Sequence, residues 1–419
     1  MTSPRICCSG QLNQIRASNI NPTPVVTYKT DKPSEKMLGT LLFLSVLLDS
    51  SYCLSEKGRI ALTKAYGGID IDKRHERLKN LGLKTSGPKA MSEKATVFSK
   101  AKTGENIPAD KGSIIEVNQR EGIDEYLFDG DMLLTDEQLA AFENNLGDQT
   151  RQKRQIATYA EPWPNKKPFY YFDDTITAEN QAYVRKQLKY LSDRTCITFV
   201  ENATATNRVK VVDGTGCFGA VGMIGGEQSL SLANGCFIVG TVAHEFMHAL
   251  GAVHMHARHD RDMYIRVNLT NVPNLNKENN TIIYTPYEYG SVMQYPSSAF
   301  ATSGHSMVPL TAGYARTMGA QAISFYDIRM INWFYKCNAP CNGLKTTAKC
   351  VNGGVPNPRA CTTCICPNGY GGTLCGQRAP AGKKIQFRVT ALVNVQCQDT
   401  CFPNAIEAKV LLDKAMTSP

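Results

Sequence analysis

The sequence contains no hydrophobic run long enough to cross a bilayer as a helix. Its one strongly apolar run, MLGTLLFLSVLL, occupies residues 37–48, whereas a membrane-spanning helix needs about 20 apolar residues. A run of this length is typical of a signal-peptide core, and the small residues Ser51 and Cys53 offer a cleavage site. The sequence therefore predicts a secreted, extracellular protein with no stable membrane span. A signal anchor retained in the membrane is the alternative.

A nucleic-acid-binding motif is also missing. The chain carries 46 Lys and Arg against 37 Asp and Glu, which gives a net charge of +9 over 419 residues. The basic residues are spread along the chain instead of forming a patch, and no known motif accompanies them. Much of the excess lies in segments that are predicted to be removed. We therefore expect no nucleic-acid partner.

Histidine is scarce, and its distribution is uneven. The chain has 7 histidines, and five of them lie in the segment 244–259, HEFMHALGAVHMHARH. Positions i and i+4 of a helix share a face, so His244 and His248 would present two imidazoles to one point. This spacing indicates a metal site on a helix.

The rest of the segment supplies the other parts of such a site. Glu245 would project beside the histidines and reach a metal-bound water. Gly251 can adopt the left-handed conformation that ends a helix, which lets His254 return as a third ligand. Three neutral imidazoles leave one zinc position open, as catalytic zinc requires. The short motif also arises by chance in amphipathic core helices, but the extended form is far more specific.

These residues resemble the astacin family of metzincin peptidases. The continuation MHARHDRD at 255–262 and the segment Ser291-Val292-Met293-Gln294-Tyr295 agree with that family. The second segment is similar to the Met-turn, whose methionine forms an apolar floor beneath the metal. In the family, the tyrosine two residues later is a further zinc ligand that swings away to stabilise the oxyanion. Met293 and Tyr295 occupy these two positions.

The resemblance extends from Trp163 to Cys337 and implies an α+β fold. It implies a two-lobed metzincin or astacin-like catalytic domain, with a mixed sheet and helices in the upper lobe and a mostly irregular lower lobe. The implied activity is that of a zinc metalloendopeptidase with one Zn²⁺ per catalytic domain. Glu245 would be the general base, and protein or peptide substrates would lie along an edge strand. The implied zinc ligands are His244, His248, His254 and Tyr295.

Two other classes of protein are alternatives. A non-catalytic binding protein could use the C-terminal modules described below, but such a protein would typically have lost Glu245 or a metal ligand. A structural matrix component would leave the histidine motif unexplained.

The sequence departs from the family at two positions. The residue after the third histidine is usually Glu and meets the buried amino terminus of the mature enzyme, whereas this chain has Met255. The family more often has His where Gln294 stands. Because a buried ammonium without a carboxylate partner is costly, Met255 predicts an amino terminus that is neutral or not buried there. A Gln155 cyclised to pyroglutamate would be neutral; a terminus left in solvent is the alternative.

Fifteen cysteines predict an oxidising compartment. For the four cysteines of the catalytic region, spacing alone leaves three connectivities open. Six further cysteines resemble an EGF-like module, and Cys364-Ile365-Cys366 suits this better than a zinc ribbon built from paired Cys-x-x-Cys motifs. The resemblance implies five disulfides, namely Cys196–Cys337, Cys217–Cys236, Cys341–Cys361, Cys350–Cys364 and Cys366–Cys375.

A polar stretch, residues 54–154, is predicted to be a propeptide. It contains YLFDGDM at 126–132, and astacin propeptides carry a Phe-x-Gly-Asp segment whose Asp binds the zinc and holds the enzyme latent. Asp131 takes that position; a surface turn is the alternative. The tetrad RQKR at 151–154 fits a furin-type processing protease in an exposed linker. Cleavage is therefore predicted after Arg154.

The chain begins and ends with the same four residues, MTSP. Joined there, the two ends read as one passage that resembles part of a CUB-like module, so the opening is predicted to be the tail of a neighbouring copy. Sequons at Asn202, Asn268 and Asn279 predict glycosylation, with unmodified surface asparagines as the alternative. The predicted segments are a stray CUB-like tail at 1–36, a signal peptide at 37–53, a propeptide at 54–154, the catalytic domain at 155–337, an EGF-like module at 338–376 and a truncated CUB-like segment at 377–419.

Overall fold

The computed structural model describes most of the chain between residues 54 and 378. The described residues are 54–86, 113–144, 157, 159–267, 283–301, 304–311 and 313–378. They belong to one compact unit, Leu54–Pro419. Some predictions fall outside the described residues, namely those for 1–53, 151–156, Asn268, Asn279 and 379–419.

Helices and strands alternate through the described part. The α-helices there are α1 Glu56–Ala65, α2 Ile71–Ser86, α3 Ile114–Glu121, α4 Asp136–Asn144, α5 Ala178–Arg194, α6 Val239–Ala249 and α7 Phe325–Phe334. The strands are β1 Met132–Leu133, β2 Phe169–Phe172, β3 Val200–Glu201, β4 Arg208–Val212, β5 Cys217–Ala220, β6 Glu227–Leu232, β7 Ile265–Val267, β8 Met307–Pro309, β9 Val355–Asn357 and β10 Ala360–Ile365. Among the described residues, no helix has the length and apolar character needed to span a membrane.

A six-stranded mixed sheet organises the fold. Its strand order is β1-β5-β6-β4-β2-β3. Strands β6, β4, β2 and β3 run parallel to one another, while β5 runs antiparallel to β6. Strand β4 shows the alternation of a sheet with one buried face, because Val209 and Val211 are buried between half-buried neighbours.

Two helices pack on this sheet and carry its core. Helix α5 begins at a Thr177 cap, whose side chain accepts from the backbone N–H of Asn180. Its residues Val184, Leu188 and Leu191 repeat at helical spacing and are buried. Helix α6 is buried on all sides, as expected for a helix in the middle of a domain. It therefore holds its side chains in fixed positions.

The described parts of the segment 54–144, residues 54–86 and 113–144, fold onto the edge of the sheet, although the composition of the segment is polar. Strand β1 joins β5 in parallel, with Met132 opposite Gly219. Two apolar clusters fasten the segment to the rest of the domain. One contains Phe128 and Val253, and the other contains Leu127 and Phe218. Apolar residues spaced among charged ones thus form amphipathic elements here.

A disulfide-rich region follows α7. It contains the antiparallel pair β9–β10. Arg359, between these strands, donates to the carbonyl oxygens of Ser192 at 3.0 Å and Thr195 at 2.8 Å, and also to that of Ile197. A cation at the carbonyl end of a helix is favourable. Arg359 therefore ties this region to the end of α5.

Candidate metal centre and active site

Helix α6 ends where the sequence predicted a turn. Gly251 has a φ of 100°, a left-handed conformation that glycine adopts without steric cost. Its N–H bonds the carbonyl of His248 at 2.8 Å, and the N–H of Ala252 bonds that of Met247 at 2.9 Å. These two bonds form the motif that commonly closes a helix. The reversed chain then brings His254 back to the helix.

Three imidazole rings converge in a fully buried place. The Nε2 atom of His244 lies 2.9 Å from Nε2 of His248 and 3.3 Å from Nε2 of His254. Tetrahedral zinc with imidazole ligands would hold such nitrogens about 3.3 Å apart. All three histidines are almost completely buried. The structure thus brings together the three residues that the motif singled out.

The hydrogen-bond partner of the second ring nitrogen, Nδ1, determines the tautomer of each histidine. Nδ1 of His244 lies 2.6 Å from the carbonyl oxygen of Val292, and Nδ1 of His248 lies 2.8 Å from that of Ala252. Nδ1 of His254 lies 3.3 Å from Oδ2 of Asp129. Because these oxygens only accept hydrogen bonds, each Nδ1 carries the proton. With a metal bound, each ring would be neutral and would keep its proton on Nδ1, which leaves Nε2 bare as a ligand atom.

Bare nitrogens this close to one another need a cation. Their lone pairs repel, and protonating each Nε2 would create neighbouring imidazolium ions in a buried site. A divalent metal satisfies all of them at once. His244, His248, His254 and Asp131 form a group that could hold such an ion, and this donor set suits zinc.

Asp131 reaches the centre from the segment 54–144. Its Oδ2 lies 2.9 Å from Nε2 of His244, and its Oδ1 lies 3.1 Å from Nε2 of His254. Burial raises the pKa of this carboxyl, but His254 and His248, with the hydrogen bond to His244, hold it well below its usual range. Asp131 thus faces the three nitrogens as a carboxylate.

A tight turn delivers Asp131 to the metal centre. Phe128 and Met132 exchange backbone hydrogen bonds of 2.9 Å and 3.0 Å on either side of it. Gly130 has a φ of 92°, and a Cβ on it would lie 2.9 Å from the ring of Phe300. Only glycine fits this position. The Phe-x-Gly-Asp segment is therefore a buried loop, and the alternative of a surface turn is wrong.

Glu245 lies beside strand β5, and its carboxylate has no hydrogen-bond partner among the described residues. It is fully buried, and neither carboxylate oxygen has a hydrogen-bond partner in that part of the chain. A Cβ on Gly219 would come within 3.3 Å of Oε2, so this glycine leaves the room that the carboxylate occupies. Burial, and after it the charge of Asp131, raise the pKa of the Glu245 carboxyl well above its usual range.

Tyr295 packs beside the histidine rings, two residues after Met293. The ring of Tyr295 is 4.4 Å from that of His254 and nearly parallel to that of His244. Its hydroxyl donates a hydrogen bond of 3.0 Å to the backbone carbonyl of Asp129. Met293 is fully buried, and its carbonyl accepts a 2.7 Å hydrogen bond from the N–H of Met255.

The two departures from the family are also buried. Nη1 of Arg258 lies 3.6 Å from Sδ of Met255. Gln294 accepts a 2.6 Å hydrogen bond from the hydroxyl of Tyr287 and donates a 3.0 Å bond to the carbonyl of Tyr295. An amide at position 294 therefore braces the segment that carries Tyr295.

Three residues near the centre were not singled out from the sequence. Asp129 faces His254, Asn118 contacts strand β5, and Asp327 holds the turn that carries Val292. One sequence pattern could have identified Asp327, because Ser324 and Asp327 form a helix-capping pair at the expected spacing. Asp129 and Asn118 contact residues far away in the sequence, and no local pattern identifies them.

Disulfides crosslink the described part of the chain. The described residues contain five of them, and they are the pairs that the resemblance implied: Cys196–Cys337, Cys217–Cys236, Cys341–Cys361, Cys350–Cys364 and Cys366–Cys375. Of the three sequons, the one at Asn202 is described. Its side-chain oxygen accepts hydrogen bonds from the N–H and the hydroxyl of Thr204.

Comparisons with known proteins agree with this arrangement. A family model described as Astacin, a peptidase family, matches residues 155–336. The chain is 36% identical over 408 residues to zinc metalloproteinase nas-32 of Caenorhabditis elegans, covering 84% of this chain and 61% of that protein. It is 34% identical over 339 residues to nas-17 of the same organism, covering 70% of this chain and 77% of that protein.

The lengths of the relatives differ from that of this chain. The chain spans 61% of the length of nas-32. A third zinc metalloproteinase of Caenorhabditis elegans, nas-31, is 38% identical over 296 residues. That match covers 67% of this chain and 48% of nas-31. Among solved structures, high choriolytic enzyme 1, a hatching enzyme zinc-protease from Oryzias latipes, is 29% identical with a TM-score of 0.41. That match covers 44% of this chain and 99% of the other.

Proposed function

This chain belongs to the astacin family, and on that premise we propose that it is a secreted zinc-dependent endopeptidase made as a latent precursor. Its substrates are extracellular proteins or peptides. The catalytic domain, residues 155–337, has two lobes. An EGF-like module at 338–376 and a truncated CUB-like segment at 377–419 follow it.

The arrangement of the histidine nitrogens carries this proposal. The Nε2 atoms of His244, His248 and His254 converge on one buried point, while their Nδ1 atoms face oxygen acceptors. Partners of this kind fix the orientation of metal-bound imidazoles. We assign the three histidines as zinc ligands. Zinc bound there polarises the substrate carbonyl and lowers the pKa of a water molecule to about 7.

Glu245 is the general base of the proposed reaction. Its carboxylate takes a proton from the attacking water and later passes it to the leaving amine. The absence of any hydrogen-bond partner for it among the described residues supports this role, because a buried carboxylate normally has partners. Its place beside Gly219 brings it to the strand along which we place the substrate.

Tyr295 is a further zinc ligand of the resting enzyme and donates its hydroxyl to the oxyanion during the reaction. Its ring lies against those of His244 and His254. In the arrangement described above, its hydroxyl bonds the carbonyl of Asp129 instead. Because Asp129 belongs to the propeptide, its departure would free this hydroxyl for both roles.

Residues 54–154 are the propeptide, and Asp131 is the residue through which it inhibits the metal centre. The Asp131 carboxylate lies where the attacking water would be held, against all three histidines. Strand β1 also covers β5, the strand to which a substrate would add. A furin-type protease cuts after Arg154 and allows the propeptide to leave.

Secretion is supported by the five disulfides, which persist in oxidising compartments. The apolar run 37–48 is the core of the signal peptide. Asn202, Asn268 and Asn279 are the proposed glycosylation sites.

A metal analysis combined with an activity assay tests the proposal. The processed protein should contain one zinc per chain and should cleave a denatured protein. A chelator should abolish the cleavage, and added zinc should restore it. Processed protein that binds no metal, or that cleaves nothing with zinc bound, would contradict the proposed function.

A further inference from the structure

The side chain of Asn118 makes a set of contacts that the proposed mechanism does not use. Asn118 lies on α3 and is completely buried. Its Oδ1 accepts a 2.7 Å hydrogen bond from the backbone N–H of Cys217. Its Nδ2 donates 2.8 Å bonds to the carbonyl oxygens of Cys217 and Gly130. One amide thus joins strand β5 to the turn that carries Asp131.

These contacts occur where the backbone pairing of β1 with β5 stops. Gly219 donates from its N–H to the carbonyl of Asp131 at 3.2 Å, and Met132 lies opposite Gly219. On the other side of Asp131, the chain turns toward the metal centre. A regular ladder would offer Cys217 one acceptor and one donor from a neighbouring backbone. The Asn118 amide supplies both.

The surroundings of this amide fit asparagine closely. Gly216 has a φ of 79°, and a Cβ on it would lie 2.4 Å from Oδ1 of Asn118. Because Gly216 has no side chain, the space is free for the amide of Asn118. An aspartate of the same shape would lack both donors, and an alanine would leave buried backbone groups of Cys217 unpaired, which is costly.

We propose that the backbone of Cys217 is an amide-binding site, which the side chain of Asn118 fills in the precursor. Asn118 thereby anchors the propeptide and imitates the backbone of a bound substrate at that position. This inference rests on the proposed function, because it needs a propeptide that later leaves. After its departure, Cys217 is free to pair with the backbone of an extended substrate.

The test uses the full-length precursor with Arg151 and Arg154 changed to alanine, so that it stays uncut. Asn118→Asp and Asn118→Ala are compared with the parent, and Gln119→Ala on the same helix is the matched control. Hydrogen exchange at the backbone N–H of Cys217 is measured by mass spectrometry. Hydrolysis of an unstructured peptide by the uncut precursor is measured in parallel.

We expect exchange at the N–H of Cys217 to become on the order of ten to a hundred times faster in Asn118→Ala, which removes the acceptor of that N–H. Asn118→Asp keeps an acceptor and loses only the donors, so exchange should be accelerated less in that variant. Peptide hydrolysis by the uncut precursor should rank the variants in the same order. Gln119→Ala should match the parent in both measurements. Unchanged exchange at Cys217 in both Asn118 variants would overturn the proposal.

A second set of precursors keeps the processing site. Residue 118 precedes the cleavage point, so every processed enzyme has the same sequence and should have the same kcat and KM. Equal values show that the Asn118 variants fold correctly, and unequal values overturn the assignment of Asn118 to the propeptide alone. If no processed enzyme cleaves anything, the proposed function fails, while the exchange measurement still decides the role of Asn118.

Discussion

Asp327 holds Val292 in place, and Val292 in turn holds a histidine of the metal centre. The Oδ2 atom of Asp327 accepts a 3.1 Å hydrogen bond from the N–H of Val292. The carbonyl of the same Val292 lies 2.6 Å from Nδ1 of His244. The backbone of one residue therefore connects the start of α7 with the metal centre. Asp327 is buried and also accepts from Ser291 and Ser324.

Asp327→Asn should weaken zinc binding and lower stability. The amide can keep one oxygen for the N–H groups of Val292 and Ser324, but it replaces the charged acceptor of the Ser291 hydroxyl with a donor, which costs about 1–3 kcal/mol. Partners beyond the ligands typically change metal affinity about 10- to 100-fold, and we expect the lower end. Competition with a chromogenic chelator measures the affinity. Asp193→Asn, which alters an exposed pair with Lys189, should leave the affinity unchanged.

Asp131→Asn and Asp131→Ala in the uncut precursor should release partial activity. Both variants remove the carboxylate that faces the three histidines. The asparagine keeps the shape of the turn and so separates loss of charge from loss of packing. Peptide hydrolysis by the uncut protein is the measurement. If both variants remain as inactive as the parent, the propeptide blocks the site sterically and not through this carboxylate.

Tyr295→Phe in the processed enzyme should lower kcat by about 10²–10³, because it removes a donor to the oxyanion. KM should change little, since that interaction strengthens only in the transition state. Steady-state kinetics on a peptide substrate separate the two constants. A variant with normal kcat and a raised KM would place Tyr295 in substrate binding instead.

Arg359→Ala should loosen the disulfide-rich region from the catalytic domain. The guanidinium bonds several carbonyl oxygens at the end of α5, and its loss should cost on the order of 1 kcal/mol. Arg359→Lys should recover only part of this, because an ammonium lacks the planar set of donors. Limited proteolysis between residues 337 and 345 should become faster in the order parent, lysine, alanine. Equal rates would refute the contact.

The metal centre was largely predictable from the sequence, because its ligands are close together in the chain. His244 and His248 follow from helix periodicity, and His254 follows from the glycine that ends the helix. Asn118 was not predictable, because its partner Cys217 lies 99 residues away and no local pattern marks a buried amide. The polar composition of 54–154 likewise concealed the apolar residues that fasten it to the sheet. Residues such as Phe128 and Leu127 find their partners only in the folded chain.

The processed enzyme and its Glu245→Gln variant test the central claim most directly. Zinc content and hydrolysis of a denatured protein are measured on the same two samples. Glu245 is not one of the proposed ligands, so both proteins should hold one zinc per chain. The parent should cleave, and the variant should be slower by about 10²–10⁴, the usual contribution of a general base. Near-normal cleavage by the zinc-loaded variant, or no cleavage by the zinc-loaded parent, would contradict the account.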